Sequence, residues 1–218
     1  MRSYAALLTT TVLTIASAGT GRADGPGGLV VGWGDNSYSQ LMNTSYNSAS
    51  AIAAGPSHAC AIQRRNGAVV CWGANDRGQA APPPSVNGAA GDATAVTAGG
   101  AHSCAIQAGT GAVICWGDDD VGQATPPPSV DGTMGTATAI SAGGAHSCAI
   151  QAGTSAIVCW GDDSHGQTDV PAVVPGFTSG QASAIAAGGQ HPARSTRSIA
   201  SSSAGATIRT VRPLRLLR

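Results

Sequence analysis

Lysine and glutamate are absent from the 218 residues, and phenylalanine occurs once. The eleven basic residues are therefore all Arg and the eleven acids all Asp, with a formal net charge of zero. Without the Lys and Glu that favour helices, and with few Leu, a helical bundle or coiled coil is excluded. Collagen is excluded as well, because the 31 Gly follow no three-residue period. Large apolar side chains are scarce, which with a high net charge would point to disorder, but the charge is balanced. What remains is Val and Ile punctuated by Gly, Pro and Asp, the vocabulary of an all-β chain with short strands.

Long apolar runs are also missing, apart from Ala5 to Ala18 behind Arg2. That stretch is short for a membrane span and ends in Ala16-Ser17-Ala18, a small-x-small cleavage pattern. It reads as a secretory signal peptide over 1–18, followed by a Gly-rich linker over 19–28. The mature chain is then expected to be secreted or periplasmic, without a membrane span. The six Cys, an even number, imply disulfides in an oxidising compartment.

A 44-residue spacing relates Trp72, Trp116 and Trp160, and equally Cys60, Cys104 and Cys148, then Cys71, Cys115 and Cys159, then His58, His102 and His146. Each unit runs A-[IV]-x-A-G-x-x-H-x-C-A-I-Q, a turn, A-[VI]-[VI]-C-W-G, then a loop closing on Gly-Gln (Gly78-Gln79, Gly122-Gln123, Gly166-Gln167). A Pro-containing linker follows. A partial unit from Leu29 to Gln40 carries Trp33, and another begins at Ala184. The units fall near 29–50, 51–93, 94–137, 138–183 and 184–191.

Within a unit, 94–98, 102–107 and 112–116 are strand-length runs bounded by Gly, the last two joined near Gly109-Thr110 as a hairpin. With the turn centred there, Cys104 faces Cys115, and the same arithmetic pairs Cys148 with Cys159 and Cys60 with Cys71. Asn66-Gly67 leaves room for a shifted turn in the first complete unit.

Repeats of this length, each a small antiparallel sheet, are the signature of a β-propeller. The motifs A-x-A-G-x-x-H-x-C-A, V-x-C-W-G and G-x-x-x-x-G-Q resemble the repeats of the regulator of chromosome condensation family, in a bacterial, exported, disulfide-bearing form. The stretch Trp160 to Pro171 is also similar to secreted propeller-type beta-lactamase inhibitory proteins. The resemblance covers residues 29 to about 191 and implies a seven-bladed propeller. Three full units and two partial ones supply only an incomplete ring.

The last unit breaks off after Gln190-His191, where x-Cys-Ala-Ile is due and Pro192-Ala193-Arg194-Ser195 stands. Residues 194–218 hold six Arg and no acid. Back-translation allows a single base restored after codon 191 to recover H-x-C-A-I-H-S and later V-C-W-G, with its two Cys spaced like Cys104 and Cys115. Residues 192–218 are therefore expected to be an out-of-frame, unstructured tail. Its charge is then an accident of codons, and nucleic acid is not expected as a partner.

Candidate chemistry is sparse. His-x-Cys with a second Cys per unit could suggest a metal, but exported thiols facing each other in a hairpin oxidise first, so neither metal nor cofactor is expected. The repeated His is read as a structural side chain tying a strand to its neighbour, and the four Trp as blade packing. Asp118-Asp119-Asp120 lacks the distal Glu of a calcium loop, and no nucleophile-elbow pattern is present. The chain is not expected to be an enzyme.

The variable loops are the candidate recognition surface: Asn75, Asp76 and Arg77; Asp118, Asp119 and Asp120; Asp162, Asp163 and His165. Their acidity favours a basic protein partner. The expected function is a non-catalytic binding scaffold. Inhibition of an exported enzyme such as a beta-lactamase is the alternative, weakened because Arg77 alone supplies a typical hot-spot side chain. Guanine nucleotide exchange, the activity of the nuclear family member, ranks third because an exported chain would not meet that partner.

Overall fold

The computed structural model describes residues 30–41, 48–170 and 182–196. Eleven strands and no helix occur among them. They form three three-stranded antiparallel sheets and one two-stranded sheet, each in sequence order. The first holds β1 (Ala49–Ala54), β2 (His58–Gln63) and β3 (Val69–Gly73). The second holds β4 (Ala93–Ala98), β5 (His102–Gln107) and β6 (Val113–Gly117), and the third β7 (Ala137–Ala142), β8 (His146–Gln151) and β9 (Ile157–Gly161). The last pairs β10 (Ala182–Ala187) with β11 (Pro192–Thr196). First strands of successive sheets lie together while third strands fan outwards, so the sheets are blades of an incomplete propeller.

The period-two register places the Cys opposite each other: Cys60 pairs with Cys71, Cys104 with Cys115 and Cys148 with Cys159. All three pairs are disulfide-bonded, with Cα atoms 4.0 Å apart. Each bridges residues eleven apart and should stabilise its hairpin by about 2–3 kcal/mol, chiefly by restricting the unfolded chain. The Asn66-Gly67 turn does not shift the register. Gly67 N–H bonds to Gln63 C=O just as Gly111 N–H does to Gln107 C=O. In the third blade Ser155 takes that place with φ 57°, a left-handed conformation in which Gly would be unstrained.

The core lies between blades rather than within them. Cys60, Ile62, Val69 and Val86 of the first unit pack with Ala105 and Trp116 of the second. Cys104, Ile106, Val113 and Val130 repeat this with Ala149 and Trp160 of the third. The third such cluster, Cys148 and Ile150 with Ala182 and Ile185, contains no Trp. Small residues allow the close stacking on the inner side: a Cβ at Gly99 would fall 2.4 Å from the His102 ring and 2.7 Å from Gly143 C=O. The A-x-x-A-G segment is thus a steric requirement of neighbouring blades.

Two expectations are corrected here. Trp33 of the partial unit over 29–40 is expected to pack a blade, but residues 30–34 form no strand and Trp33 is 84% exposed. No hairpin partner stands beside it among the described residues, so neither a ladder nor a blade face holds the indole. The tail expected to be unstructured from 192 instead begins with β11, which pairs with β10 in the register of the other blades, bulge included. Backbone pairing needs no particular side chains, and Pro192 opens the strand, where a missing N–H is tolerated. The signal peptide, the 19–28 linker and the tail from 197 lie outside the described residues.

Candidate functional site

The repeated polar residues form one hydrogen-bonded seam between blades. His58 Nε2 lies 2.8 Å from Ser103 Oγ in the next blade, and that hydroxyl donates to Gln79 C=O at 3.1 Å. Having given its proton to a carbonyl, Ser103 must accept from His58, which fixes the Nε2–H tautomer. His102 and Ser147 repeat the pair at 2.8 Å, with Ser147 donating to Gln123 C=O at 3.1 Å. The same carbonyls accept the indoles of the next unit: Trp116 Nε1 to Gln79 at 2.9 Å and Trp160 Nε1 to Gln123 at 3.0 Å. Trp72 Nε1 donates in turn to Gln40 C=O at 2.6 Å.

A Ser beside a His invites a hydrolytic reading, and the geometry argues against it. Both hydroxyls are buried, and the nitrogen facing each serine is a donor and not a base. The other nitrogens, His58 Nδ1 and His102 Nδ1, have no partner, so no carboxylate orients the rings. Burial pushes the His58 and His102 pKa values down to about 4, for His102 with help from the neighbouring His58 and His146. These imidazoles are neutral structural donors. His146 is also buried and its pKa is lowered, again by burial, but both its ring nitrogens lack partners. Its serine position is occupied by Pro192, matched to Ala187 as Ser147 is to Ala142.

The candidate loops share a second construction. The buried Gln79 carboxamide accepts from Arg77 N–H and donates to Asp76 Oδ1, at 2.8 and 2.9 Å. Gln123 accepts from Val121 N–H at 3.0 Å and donates to Asp118 at 2.7 Å. Gln167 accepts from His165 N–H at 2.8 Å and donates to Asp162 at 2.6 Å. At the second position of each loop, Asn75, Asp119 and Asp163 each accept a main-chain N–H five residues later, at 2.7–3.0 Å. Hydrogen bonds hold several carboxylates below their usual range: Asp76 through the Gln79 side chain, Asp162 through Ser164 N–H, and Asp163 through the Thr168 hydroxyl.

Most acids expected to meet a partner are thus committed to shaping their own loops. Arg77, whose charge is favoured most by Asp120, reaches the next loop and pairs with Asp118 at 3.0 Å and Asp120 at 2.9 Å. The third and fourth loop positions remain exposed: Ser37-Tyr38, Asp76-Arg77, Asp120-Val121 and Ser164-His165. Val121, at the tip of the Asp118–Asp120 loop, and Tyr38, in the partial unit, are 48% and 58% exposed. No group of three or more potential metal ligands occurs among the described residues. Two open troughs of about 460 and 410 Å³ flank β3 and β5, lined without ionisable side chains.

Residues 49–79 match the Regulator of chromosome condensation (RCC1) repeat. No match is found among curated proteins. Among solved structures, the chain is similar to the CRINKLY WD40 ectodomain of the Arabidopsis thaliana receptor kinase ACR4, with 25% identity and TM-score 0.61 over 78% of this chain and 60% of that one. The ectodomain of the Physcomitrella patens receptor kinase CR4 aligns with 26% identity and TM-score 0.56, over 75% and 45%. Saccharomyces cerevisiae Prp20p, described with its binding properties to Gsp1p and histones, shares the fold with 19% identity and TM-score 0.53, over 77% and 52%. The chain therefore spans less than two thirds of each. One unit, residues 49–79, thus matches that repeat, and the blades share the fold of these propellers.

Proposed function

We propose that this chain of chromosome-condensation-regulator repeats is an exported, non-catalytic scaffold that binds a protein through the row of loops following its Trp-Gly strand ends. The observation carrying this reading is the division of labour within each loop. Positions one, two and six are consumed by a repeated hydrogen-bonded frame in the second and third complete units, while positions three and four stay exposed and position four is a different residue in every unit, Tyr38, Arg77, Val121 and His165. A fixed frame presenting variable tips is how loop recognition works on rigid scaffolds. The three disulfides suit an oxidising compartment, in line with export.

The arrangement narrows the expected partner surface. Because Arg77 neutralises part of the Asp118–Asp120 loop, the row is mixed rather than uniformly acidic, with Tyr38, Val121 and His165 as its larger contacts. We assign affinity to these tips, and to Asp120 a salt-dependent contribution from a basic rim on the partner. The test is affinity capture from periplasm or culture medium with the intact chain, comparing wild type with Val121→Ala/His165→Ala. Loss of one captured protein supports the reading. Equal capture by both would remove the loop row from the site. The beta-lactamase inhibitor alternative would be favoured if that protein were such an enzyme and lost activity on binding.

A further inference from the structure

The joint between the first and second blades and the joint between the second and third follow one plan and differ in three places. Both have the His–Ser–Gln relay, an indole on a Gln carbonyl and an apolar cluster beneath it. Across the second joint Ala142 N–H also donates to Thr97 Oγ1 at 3.0 Å, and Gly100 N–H is shared by Gly143 C=O and Gly144 C=O at 3.1 Å. The next joint repeats both bonds, with Ala187 N–H on Ser141 Oγ at 2.9 Å and Gly144 N–H on Gly189 C=O at 3.1 Å. At the first joint neither can form. Ala53 stands in the register of Thr97 and Ser141 and offers the buried Ala98 no hydroxyl. Pro56 stands where Gly100 and Gly144 stand and has no N–H. The third difference runs the other way. Among the described residues an ion pair crosses between loops at this joint alone, from Arg77 to Asp118 and Asp120, and Val121 in Arg77's place carries no charge.

We infer that the first blade is hinged against the second at the loop-row end, and that Arg77 is the clasp that limits its swing. The missing bonds and the ion pair lie at that same end. Ser57 C=O, beside Pro56, accepts Ala74 N–H where the loop of the first blade begins, and Ala101 C=O, beside Gly100, accepts Asp118 N–H where the next loop begins. Each missing bond removes a modest stabilisation, and two at one joint multiply in its opening equilibrium. The ion pair offsets part of this, but Arg77 and Asp120 are exposed, so the clasp is weak and screened by salt. The consequence for recognition rests on the loop row being the binding face. The spacing of the Arg77 and Val121 tips adjusts to a partner, and a basic group that takes Asp120 from Arg77 frees it, while the Val121 and His165 tips keep theirs.

Trp116 and Trp160 report on the two joints. Both are 8% exposed and sit on equivalent carbonyls, so each is the other's control. Exchange of their Nε1 protons with deuterated water is followed by NMR on the full chain. No partner is needed, so the outcome is independent of which face binds. Trp116 is expected to exchange about tenfold faster than Trp160. Arg77→Gln, and separately high salt, should speed Trp116 about threefold and leave Trp160 unchanged. Ala53→Thr, which supplies the missing hydroxyl, should slow Trp116 towards Trp160, and Pro56→Gly, which supplies the missing N–H, should slow it independently. Equal exchange of the two indoles, an Arg77→Gln effect on both or on neither, or failure of both repairs to slow Trp116 would each overturn the inference.

Discussion

Trp116 Nε1 donates at 2.9 Å to the main-chain carbonyl of Gln79, 37 residues earlier and one blade back. The carbonyl also takes the Ser103 hydroxyl, itself the acceptor for His58. One peptide group thus gathers the repeated Trp, the repeated Ser and, through it, the repeated His, and it belongs to the Gln that closes the preceding loop. Blade cohesion and loop shape therefore depend on the same residue.

Trp116→Phe keeps most of the buried ring but removes the N–H, leaving Gln79 C=O with the Ser103 hydroxyl alone. The expected cost is about 1–2 kcal/mol in chemical denaturation, against about 3–5 kcal/mol for Trp116→Ala, which also empties a core position. Trp33→Phe should change nothing, because Trp33 touches no core. Equal losses from Trp33→Phe and Trp116→Phe would contradict this assignment.

Stability should fall on acidification before the carboxylates titrate. His58 and His102 have folded pKa values of about 4 against an ordinary 6.5. Above pH 6.5 the rings are neutral in both states. Between about 6.5 and about 4 the unfolded chain takes up protons that the folded chain refuses, so stability drops by roughly 1.4 kcal/mol per pH unit for each ring. Below the folded pKa the contribution is gone. Asp162 and Asp163, with lowered pKa values, act in the same sense but only further down, as pH falls below the ordinary 3.8. Urea midpoints measured from pH 7.5 to 4 check this, and a flat profile would refute the buried neutral rings.

Pro192→Ser should stabilise the chain, although most substitutions do the reverse. Residue 192 stands where Ser103 and Ser147 stand, beside a buried His146 with two unpaired nitrogens and near the bare Gln167 C=O. A hydroxyl there completes the His–Ser–Gln relay, an expected gain of about 1 kcal/mol. In a His146→Ala background the gain should shrink, which the double-mutant cycle reads directly. The same substitution bears on the proposed frame change, since a base restored after codon 191 leaves x as Ser, Pro, Thr or Ala. A gain unaltered by His146→Ala would show that removal of proline, and not the relay, is responsible.

The strands, the hairpin register and the bonded cysteines were legible because they follow from spacing: a period of two within a strand, eleven residues between Cys, 44 between units. The seam could be read only in part. The structural role assigned to the repeated His matches the seam, but its partner is a serine 45 residues away, and sequence spacing does not reveal which blade face meets which. The loops misled in a simpler way. Asp looks like a surface charge whether it meets solvent or caps a turn, and Asp118, Asp119, Asp162 and Asp163 cap turns. Trp33 misled because a correct motif requires a neighbouring strand before it can act as one.

The binding-face assignment is tested most directly by site-specific photo-crosslinking in exported chains, with the reactive side chain at Val121 on the loop row or at Met134 on an exposed loop after β6. Both side chains are exposed, so reagent access is comparable. The account predicts a discrete crosslinked protein from position 121 and none from position 134. Crosslinking from 134 with none from 121 would place recognition elsewhere on the propeller and contradict it.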